Sequence, residues 1–370
     1  MTGKPLTIVH TESSLGWGGQ EMRIMAEMRG LRERGHRMLL AAPTASEISI
    51  RCRGENFEVF PLGNGKLSLP GNALRTAAWF GAKGVDIVNP HSSRDAWSCG
   101  LAARLAGVPL IIRSRHFDVP FGFKPLSSFV YTRLADHVLT TSPRITEQLQ
   151  RAFPHAASRV LTLPTGIDVT RFVPVEGKPI APPVLGMVAV LRRAKGHVFL
   201  VRAARLLLDR GIPVRLLFVG DGPSKAPIDE EISRLDLAVH VEFMGHREDI
   251  PGQLQRMSCA VFPSLHEGIP QSALQAMAAG IPVVGSDAGG IPSVIRHGET
   301  GRIFPAGDAD ALADQLEITL RDSEATARMC RTARQMVREH HSLNGMLDQL
   351  EALYARLLGK DYLDSAGRIS

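Results

Sequence analysis

Short apolar runs alternate with amphipathic stretches along almost the whole chain. Runs at residues 6–10, 37–42, 86–90, 109–113 and 137–141 have the length and apolar character of buried strands. Between them lie helical patterns at 20–34, 95–106, 126–134 and 144–152, the first stopped by Gly35. Alternation of this kind predicts a parallel sheet covered on both faces. The rhythm breaks at 164–183, where Pro164, Gly166, Pro174, Gly177, Pro179, Pro182 and Pro183 crowd together, as in a linker. It then restarts, with strands at 184–190, 214–219, 241–244, 259–262 and 281–285 and helices at 197–208, 225–234, 271–279 and 309–320. Two further helical stretches, 324–340 and 345–358, close the chain. The pattern predicts an α/β protein with two doubly wound, Rossmann-like domains, 1–165 and 184–340, joined by a linker at 166–183. A C-terminal helical segment, 341–370, is free to return to the first domain. Ligands are expected outside the carboxyl ends of the strands.

Composition agrees with this division. At 370 residues the chain exceeds what one core holds comfortably, and 44% apolar residues suffice for two. The net charge is +6 and the sequence pI about 9.4. A basic balance bears on partners rather than fold: phosphate-rich ligands, an anionic membrane surface or nucleic acid. Nucleic acid is the poorest fit, because aromatics make up only 5% of residues and no Lys/Arg-rich tail is present. The four cysteines, Cys52, Cys99, Cys259 and Cys330, are too far apart for a redox or zinc motif, and a reducing compartment is the plain expectation. The N-terminus does not read as a signal peptide, and the longest apolar run, 184–191, is far below the ~20 residues that span a bilayer. The expected location is cytoplasmic, with any membrane contact peripheral, on the inner face of the membrane.

Candidate chemistry collects at predicted strand ends. Gly16-Trp17-Gly18-Gly19 follows the first strand and opens a helix, where free N–H groups suit an anion. A simple flexible turn is the alternative. Arg192-Arg193-Ala194-Lys195-Gly196 sets cations beside a glycine, which suits a diphosphate, although a solvated basic turn has the same composition. Pro263-Ser264-Leu265-His266-Glu267-Gly268-Ile269-Pro270-Gln271 leads from a buried strand into a helix. Gln271 and Gln275 share one face of that helix, and Glu267 stands either beside a ligand or as the helix's own cap. Gly220-Asp221-Gly222-Pro223 and Asp287-Ala288-Gly289-Gly290-Ile291-Pro292 follow other strands of the same domain, so both should open onto one edge.

Taken together, these segments resemble the retaining glycosyltransferases of the GT-B fold, family 4. The resemblance is carried by Pro164-Thr165-Gly166-Ile167-Asp168 with Phe172, Arg192 with Lys195-Gly196, Gly220-Asp221-Gly222-Pro223 and Phe243-Met244-Gly245. It continues through Pro263-Ser264, Glu267-Gly268, Ala276-Met277-Ala278, Gly289-Gly290-Ile291-Pro292 and Gly298-Glu299-Thr300-Gly301, over roughly half the chain. The first domain is similar more loosely, through the Gly16–Gly19 loop, His91-Ser92 and Arg113-Ser114-Arg115-His116.

The resemblance implies two domains facing across a cleft, the first on the acceptor side and the second binding a nucleotide sugar. Arg192 and Lys195 would hold the donor diphosphate, with Gly18 and Gly19 passing close to it. Glu267 would face the donor sugar, with the backbone of Gly268, Ile269, Pro270 and Gln271 nearby. His116 would reach that sugar from the first domain. Gln275 stands where the family usually has a second Glu on the ribose, Gly245 and His246 would lie near the base, and Ser293 replaces another frequent Glu. The implied reaction is retaining, hexosyltransferase-type transfer from a nucleotide-diphospho-sugar to a hydroxyl acceptor, such as a lipid-linked, cell-envelope or lipopolysaccharide-core glycan. No metal or other cofactor is expected, since the cations neutralise the diphosphate and no strand-end Asp-x-Asp occurs. Two alternatives stay open: a nucleotide-sugar epimerase on the same fold, and a non-catalytic nucleotide-sugar-binding protein.

Overall fold

The computed structural model describes residues 4–63, 69–116, 128–174 and 181–359. The chain forms two compact units: one runs to Pro164 and resumes at Leu343, and the other spans Thr165–Ser342.

The first unit is built on seven strands: β1 (Thr7–Thr11), β2 (Arg37–Ala42), β3 (Glu58–Pro61), β4 (Ile87–Pro90), β5 (Leu110–Arg115), β6 (His137–Thr140) and β7 (Val160–Thr162). All neighbours pair in parallel, in the order β3-β2-β1-β4-β5-β6-β7. Helices α1 (Gly19–Glu33), α2 (Glu47–Gly54), α3 (Leu69–Lys83), α4 (Ser93–Leu105) and α5 (Pro143–Ala152) connect the strands. Strand periodicity divides the core. Ile8 of β1 joins Ile24 and Met28 of α1 on one face, while Val9 joins Phe80 of α3 and Ala102 of α4 on the other.

The second unit repeats the plan with six parallel strands: β8 (Val184–Val188), β9 (Arg215–Val219), β10 (Val241–Phe243), β11 (Cys259–Phe262), β12 (Val283–Ser286) and β13 (Arg302–Phe304). Their order is β10-β9-β8-β11-β12-β13. Its helices are α6 (His197–Asp209), α7 (Lys225–Arg234), α8 (Ile250–Gln255), α9 (Gln271–Ala278), α10 (Ala309–Arg321) and α11 (Ser323–His340). Three helix starts are fixed by carboxylates: Asp249 accepts Gly252 N, Asp308 accepts Ala311 N and Asp322 accepts Ala325 N. Asp308 thus caps a helix start, and Asp310 lies in that helix's first turn. Ile167 and Phe172 are buried in this unit's core, and the Ile167 amide bonds the His341 carbonyl at 2.8 Å.

The last helix, α12 (Leu343–Leu358), packs on the first unit. Met346, Leu347, Leu350 and Tyr354 enter the α1 face of its core. The helices meet at Gly30, where a Cβ would lie 2.3 Å from Leu347 Cδ1. Arg34 pairs with Asp348 and Glu351 at the rim.

Several elements depart from the periodic reading. Helix α3 contains Pro70 and Gly71, and α2, β3, β7, α8 and β13 are short, so periodicity alone passed over all of them. Strand β5 runs two residues past its apolar run, because Ser114 bonds Asn89 and Arg115 bonds Tyr131 inside the unit. Of the helix expected at 126–134, residues 126 and 127 lie outside the described ones, and Val130–Leu134 is a π-helical turn. Residues 175–180 of the expected linker and residues 360–370 of the C-terminal segment also lie outside the described ones.

The docking of α12 should depend on its apolar face. Leu350 is fully buried, so Leu350→Ala should cost about 2–5 kcal/mol in urea unfolding. Asp348, 67% exposed, should cost less than about 1 kcal/mol on change to Ala. Similar losses at the two positions would mean that the rim pairs hold the helix.

Candidate active site

In each unit the strand order reverses at the centre, between β1 and β4 in the first and between β8 and β11 in the second. Connections leave in opposite directions there, and the carboxyl ends open a crevice suited to ligands. Sequence-selected residues lie at both points.

In the second unit, Arg192–Gly196 follows β8 and Pro263–Pro270 follows β11. The loops are stitched together by Leu265 N donating to Ala194 O at 2.8 Å. The Lys195 ammonium meets the Glu267 carboxylate, which also accepts from Ser264 Oγ at 3.3 Å. Glu267 is buried and Lys195 half-buried. Backbone crowding fixes this pair. Gly196 sits at φ +73°, and a Cβ there would lie 1.8 Å from Pro263 O. Gly289 sits at φ +54°, and a Cβ there would lie 1.9 Å from Glu267 O. The next amide, Gly290 N, donates to Glu267 O at 3.2 Å, and Ser286 Oγ donates to Ser264 O at 2.6 Å. Three loops therefore meet along the Pro263–Gly268 backbone, with no room for side chains at Gly196, Gly289 and Gly290.

The Glu267 carboxylate makes no bond to α9, so its side chain is not that helix's cap. Gly268 N and Ile269 N donate to nothing among the described residues. Two amides with spare donor capacity beside an ammonium make a ready anion site. Pro270 precedes α9, and its carbonyl accepts Ala273 N at 3.0 Å. Gln271 is half-buried at the start of that helix. Gln275 is buried one turn on, and its amide has no partner among the described residues. Arg192 is exposed, with no ion pair among the described residues. Gly245 O accepts Gly220 N at 2.8 Å, and the exposed His246 donates its amide to Asp221 Oδ2 at 2.7 Å. Both lie at the β9–β10 side of the sheet. Ser293 Oγ donates to Gly290 O, so this departure from the family pattern supports the crowded loop.

The first unit's switch point is acidic and histidine-rich. Buried Glu12 accepts Ser13 N and Ser14 N, each at 2.7 Å, and the Gln20 amide. Buried Asp95 accepts from Thr11 Oγ1, His91 N and Ser92 N. Burial, reinforced by the Glu12 charge, pushes the Asp95 carboxyl up to about 6. The Gly16–Gly19 loop differs from expectation. Gly18 N already donates to Glu21 Oε2 at 2.9 Å, and burial raises that carboxyl above its ordinary range. Gly19 is the first residue of α1 and is exposed. His116 is buried, and its Nε2 lies 2.8 Å from His91 Nδ1. Burial first, then the Arg23 and Arg113 charges, hold its imidazole neutral well below the usual range.

The sequence reading missed His10, Arg23 and Glu27, all buried in this network. The signal was present: a histidine closing an apolar run, and an Arg–Glu pair four apart on the helix face that packs inward.

Comparison with known proteins bears on the fold and the family. The profile described as glycosyl transferases group 1 matches residues 168–336, and that of glycosyltransferase family 4 matches residues 17–171. EpsF of Bacillus subtilis is 32% identical over 235 residues, 59% of this chain and 60% of that one. The N-acetyl-alpha-D-glucosaminyl L-malate synthase of Bacillus anthracis is 33% identical over 150 residues, 40% of this chain and 39% of that one. These two matches thus span less than two thirds of the relatives' length. A 2-deoxystreptamine glucosyltransferase of Streptomyces kanamyceticus is 26% identical over 75% of this chain and 79% of its own. Among solved structures, a glycosyltransferase from Rickettsia africae matches with TM-score 0.86 at 19% identity, over 96% of this chain and 99% of that one. Anabaena Alr3699/HepE in complex with UDP and glucose matches with TM-score 0.82 at 21% identity, over 95% and 100%. Two doubly wound units of this kind define the GT-B class of folds. Within that class, the chain belongs to the glycosyltransferases that join a family 4 first unit to a group 1 second unit.

The crowding at Glu267 sets a testable contrast. Gly289→Ala meets both backbone strain and the Glu267 carbonyl. Gly298, at φ +75°, faces open space, so Gly298→Ala meets strain alone, about 1–2 kcal/mol. Urea unfolding should show Gly289→Ala losing clearly more; equal losses would mean that the loops have slack.

Proposed function

We propose that the protein transfers a sugar from a nucleoside-diphosphate sugar to a hydroxyl acceptor, with retention at the anomeric carbon. The observation that carries this reading is the Lys195–Glu267 pair, held by crossing backbones beside the undonated amides of Gly268 and Ile269. Before donor binds, Glu267 holds the ammonium at the strand end. A diphosphate offers Lys195 and exposed Arg192 a stronger partner, and Glu267 is then released toward sugar hydroxyls. The anomeric C–O bond to the diphosphate breaks and a bond to the acceptor oxygen forms on the same face. The acceptor proton passes to the departing diphosphate. Fixed cations and amide dipoles stabilise the charge that grows on the leaving group. No metal is assigned a role in this step.

Relatives point to the substrates worth testing first. One similar protein is a UDP-galactose:diphosphoundecaprenol-linked galactosyltransferase of Escherichia coli, and HepE was solved with UDP-glucose. We therefore take a UDP-hexose as first donor and a lipid-linked cell-envelope glycan as acceptor. Epimerisation is less well supported, because Glu267, bound by Lys195 and Ser264, is poorly placed to act as free acid or base. Gln275 would bind ribose as a neutral amide, and His246 would lie near the base.

With UDP-glucose as donor and excess chelator present, turnover should persist. Lys195→Ala should lower kcat about 10²–10³-fold while weakening UDP affinity far less. Gln275→Ala should raise the donor KM about fivefold, near 1 kcal/mol, with kcat unchanged. Normal kcat in Lys195→Ala, or activity that returns only with added metal, would contradict the mechanism.

Peripheral membrane contact also belongs to this reading. No helix among the described residues is long and apolar enough to cross a membrane. Helices α3 and α4 pack side by side and expose Leu74, Leu101 and Leu105 with Arg75, Arg94 and Arg104, and neither presents an exposed carboxylate. Such a face suits an anionic bilayer surface. The protein should bind phosphatidylglycerol vesicles at low salt and release at high salt, and Leu74→Glu with Leu101→Glu should abolish binding. Equal binding to phosphatidylcholine vesicles would contradict this.

A further inference from the structure

Three histidines end three adjacent strands of the first unit: His10 in β1, His91 after β4 and His116 after β5. All three are buried. His10 Nδ1 lies 2.7 Å from His91 Nε2, and His91 Nδ1 lies 2.8 Å from His116 Nε2. Successive rings stack, with centroids 5.0 and 5.1 Å apart. Burial holds all three below their ordinary range. The charges that face them are Glu27 and Arg23 of α1 and Arg113 of β5. Tyr354 of α12 lies near the same Glu27, which together with burial keeps its phenol protonated.

A neutral imidazole carries one proton. Two hydrogen bonds through three such rings require all three protons to point the same way. Either every ring is protonated on Nε2, or every ring is protonated on Nδ1. In the first case His116 ends the chain with a bare Nδ1, an acceptor. In the second it ends with an Nδ1–H, a donor. Among the described residues His116 Nδ1 has no hydrogen-bond partner, so its polarity is presented to whatever approaches.

The choice is made at the other end. His10 Nε2 has no hydrogen-bond partner among the described residues, and Glu27 Oε2 stands 3.9 Å away. Arg23 Nε pins the other carboxylate oxygen at 2.7 Å, while its NH1 donates to Leu163 O. A carboxylate favours an N–H facing it over a lone pair. We propose that Glu27, acting through His10 and His91, fixes His116 in the Nε2–H form and leaves its Nδ1 as an acceptor for a ligand group that donates, such as a sugar hydroxyl. Glu27, His10 and His91 are then positioning residues. The sugar assignment rests on the proposed donor and on the role that the family resemblance implies for His116; the proton order does not.

The test is nitrogen NMR of the full chain labelled with 15N-histidine, without ligand, near neutral pH. Protonated and bare imidazole nitrogens have well-separated shifts. The three buried rings should all be Nε2–H, favoured roughly tenfold or more. In Glu27→Gln, the amide oxygen should stay on Arg23 and turn the NH₂ toward His10. All three rings should then switch together to Nδ1–H. A wild-type ring that is Nδ1–H or doubly protonated overturns the proposal, and that spectrum decides even if the variant fails to fold. A folded variant whose rings stay unchanged overturns it too.

A second arm uses UDP-glucose and its monodeoxyfluoro analogues, since fluorine cannot donate. One analogue should lose about tenfold in kcat/KM with wild type and clearly less with Glu27→Gln. If the spectra come out as expected and no analogue is discriminated, the proton order stands and a sugar hydroxyl is not the group from which His116 accepts.

Discussion

The second unit depends on backbone crossing backbone at Glu267. Gly196, Gly289 and Gly290 bring three loops within a distance that excludes a Cβ. Such contacts are costly to form, because glycine loses the most freedom on folding. They gain fixed position for groups that flexible side chains alone would place loosely. Lys195 is a long, rotatable side chain, yet it ends on a carboxylate whose own backbone cannot shift. Pre-set charges of this kind stabilise a leaving group without reorganising when the bond breaks.

The two units share a plan and differ in chemistry. Each places its polar residues where the strand order reverses, because there the connections part and leave room. The second unit puts cations and spare amides at that point, which suits a phosphate. The first unit puts buried carboxylates and neutral histidines there. Neutral imidazoles transmit polarity without a buried charge, which would need desolvation.

Much of this was legible in the sequence. Alternating runs predicted the two doubly wound units, since strands buried on both faces read as unbroken apolar stretches. Glu267 and Lys195 stood out as charged residues directly after such stretches, and the structure brings them together. Residues whose role depends on long-range contacts were not legible. Glu21 shields Gly18 N from the side of its own helix, and only the fold reveals that. His10 looked like the last residue of a strand, because its partner His91 lies 81 residues away. Helix α3 drew no helical reading; Pro70 and Gly71 fall in its first turn, where Pro is tolerated.

The central claim is that the crossing loops around Glu267 form a nucleoside-diphosphate site, and melting temperature tests it most directly. UDP at ~100 times its dissociation constant should stabilise the protein by ~2.7 kcal/mol. The account predicts a clear rise with UDP or another nucleoside diphosphate. That rise should be retained in Glu267→Ala and lost when Arg192 and Lys195 are both changed to Ala. No rise with any nucleoside diphosphate, or an undiminished rise in the double variant, would contradict it.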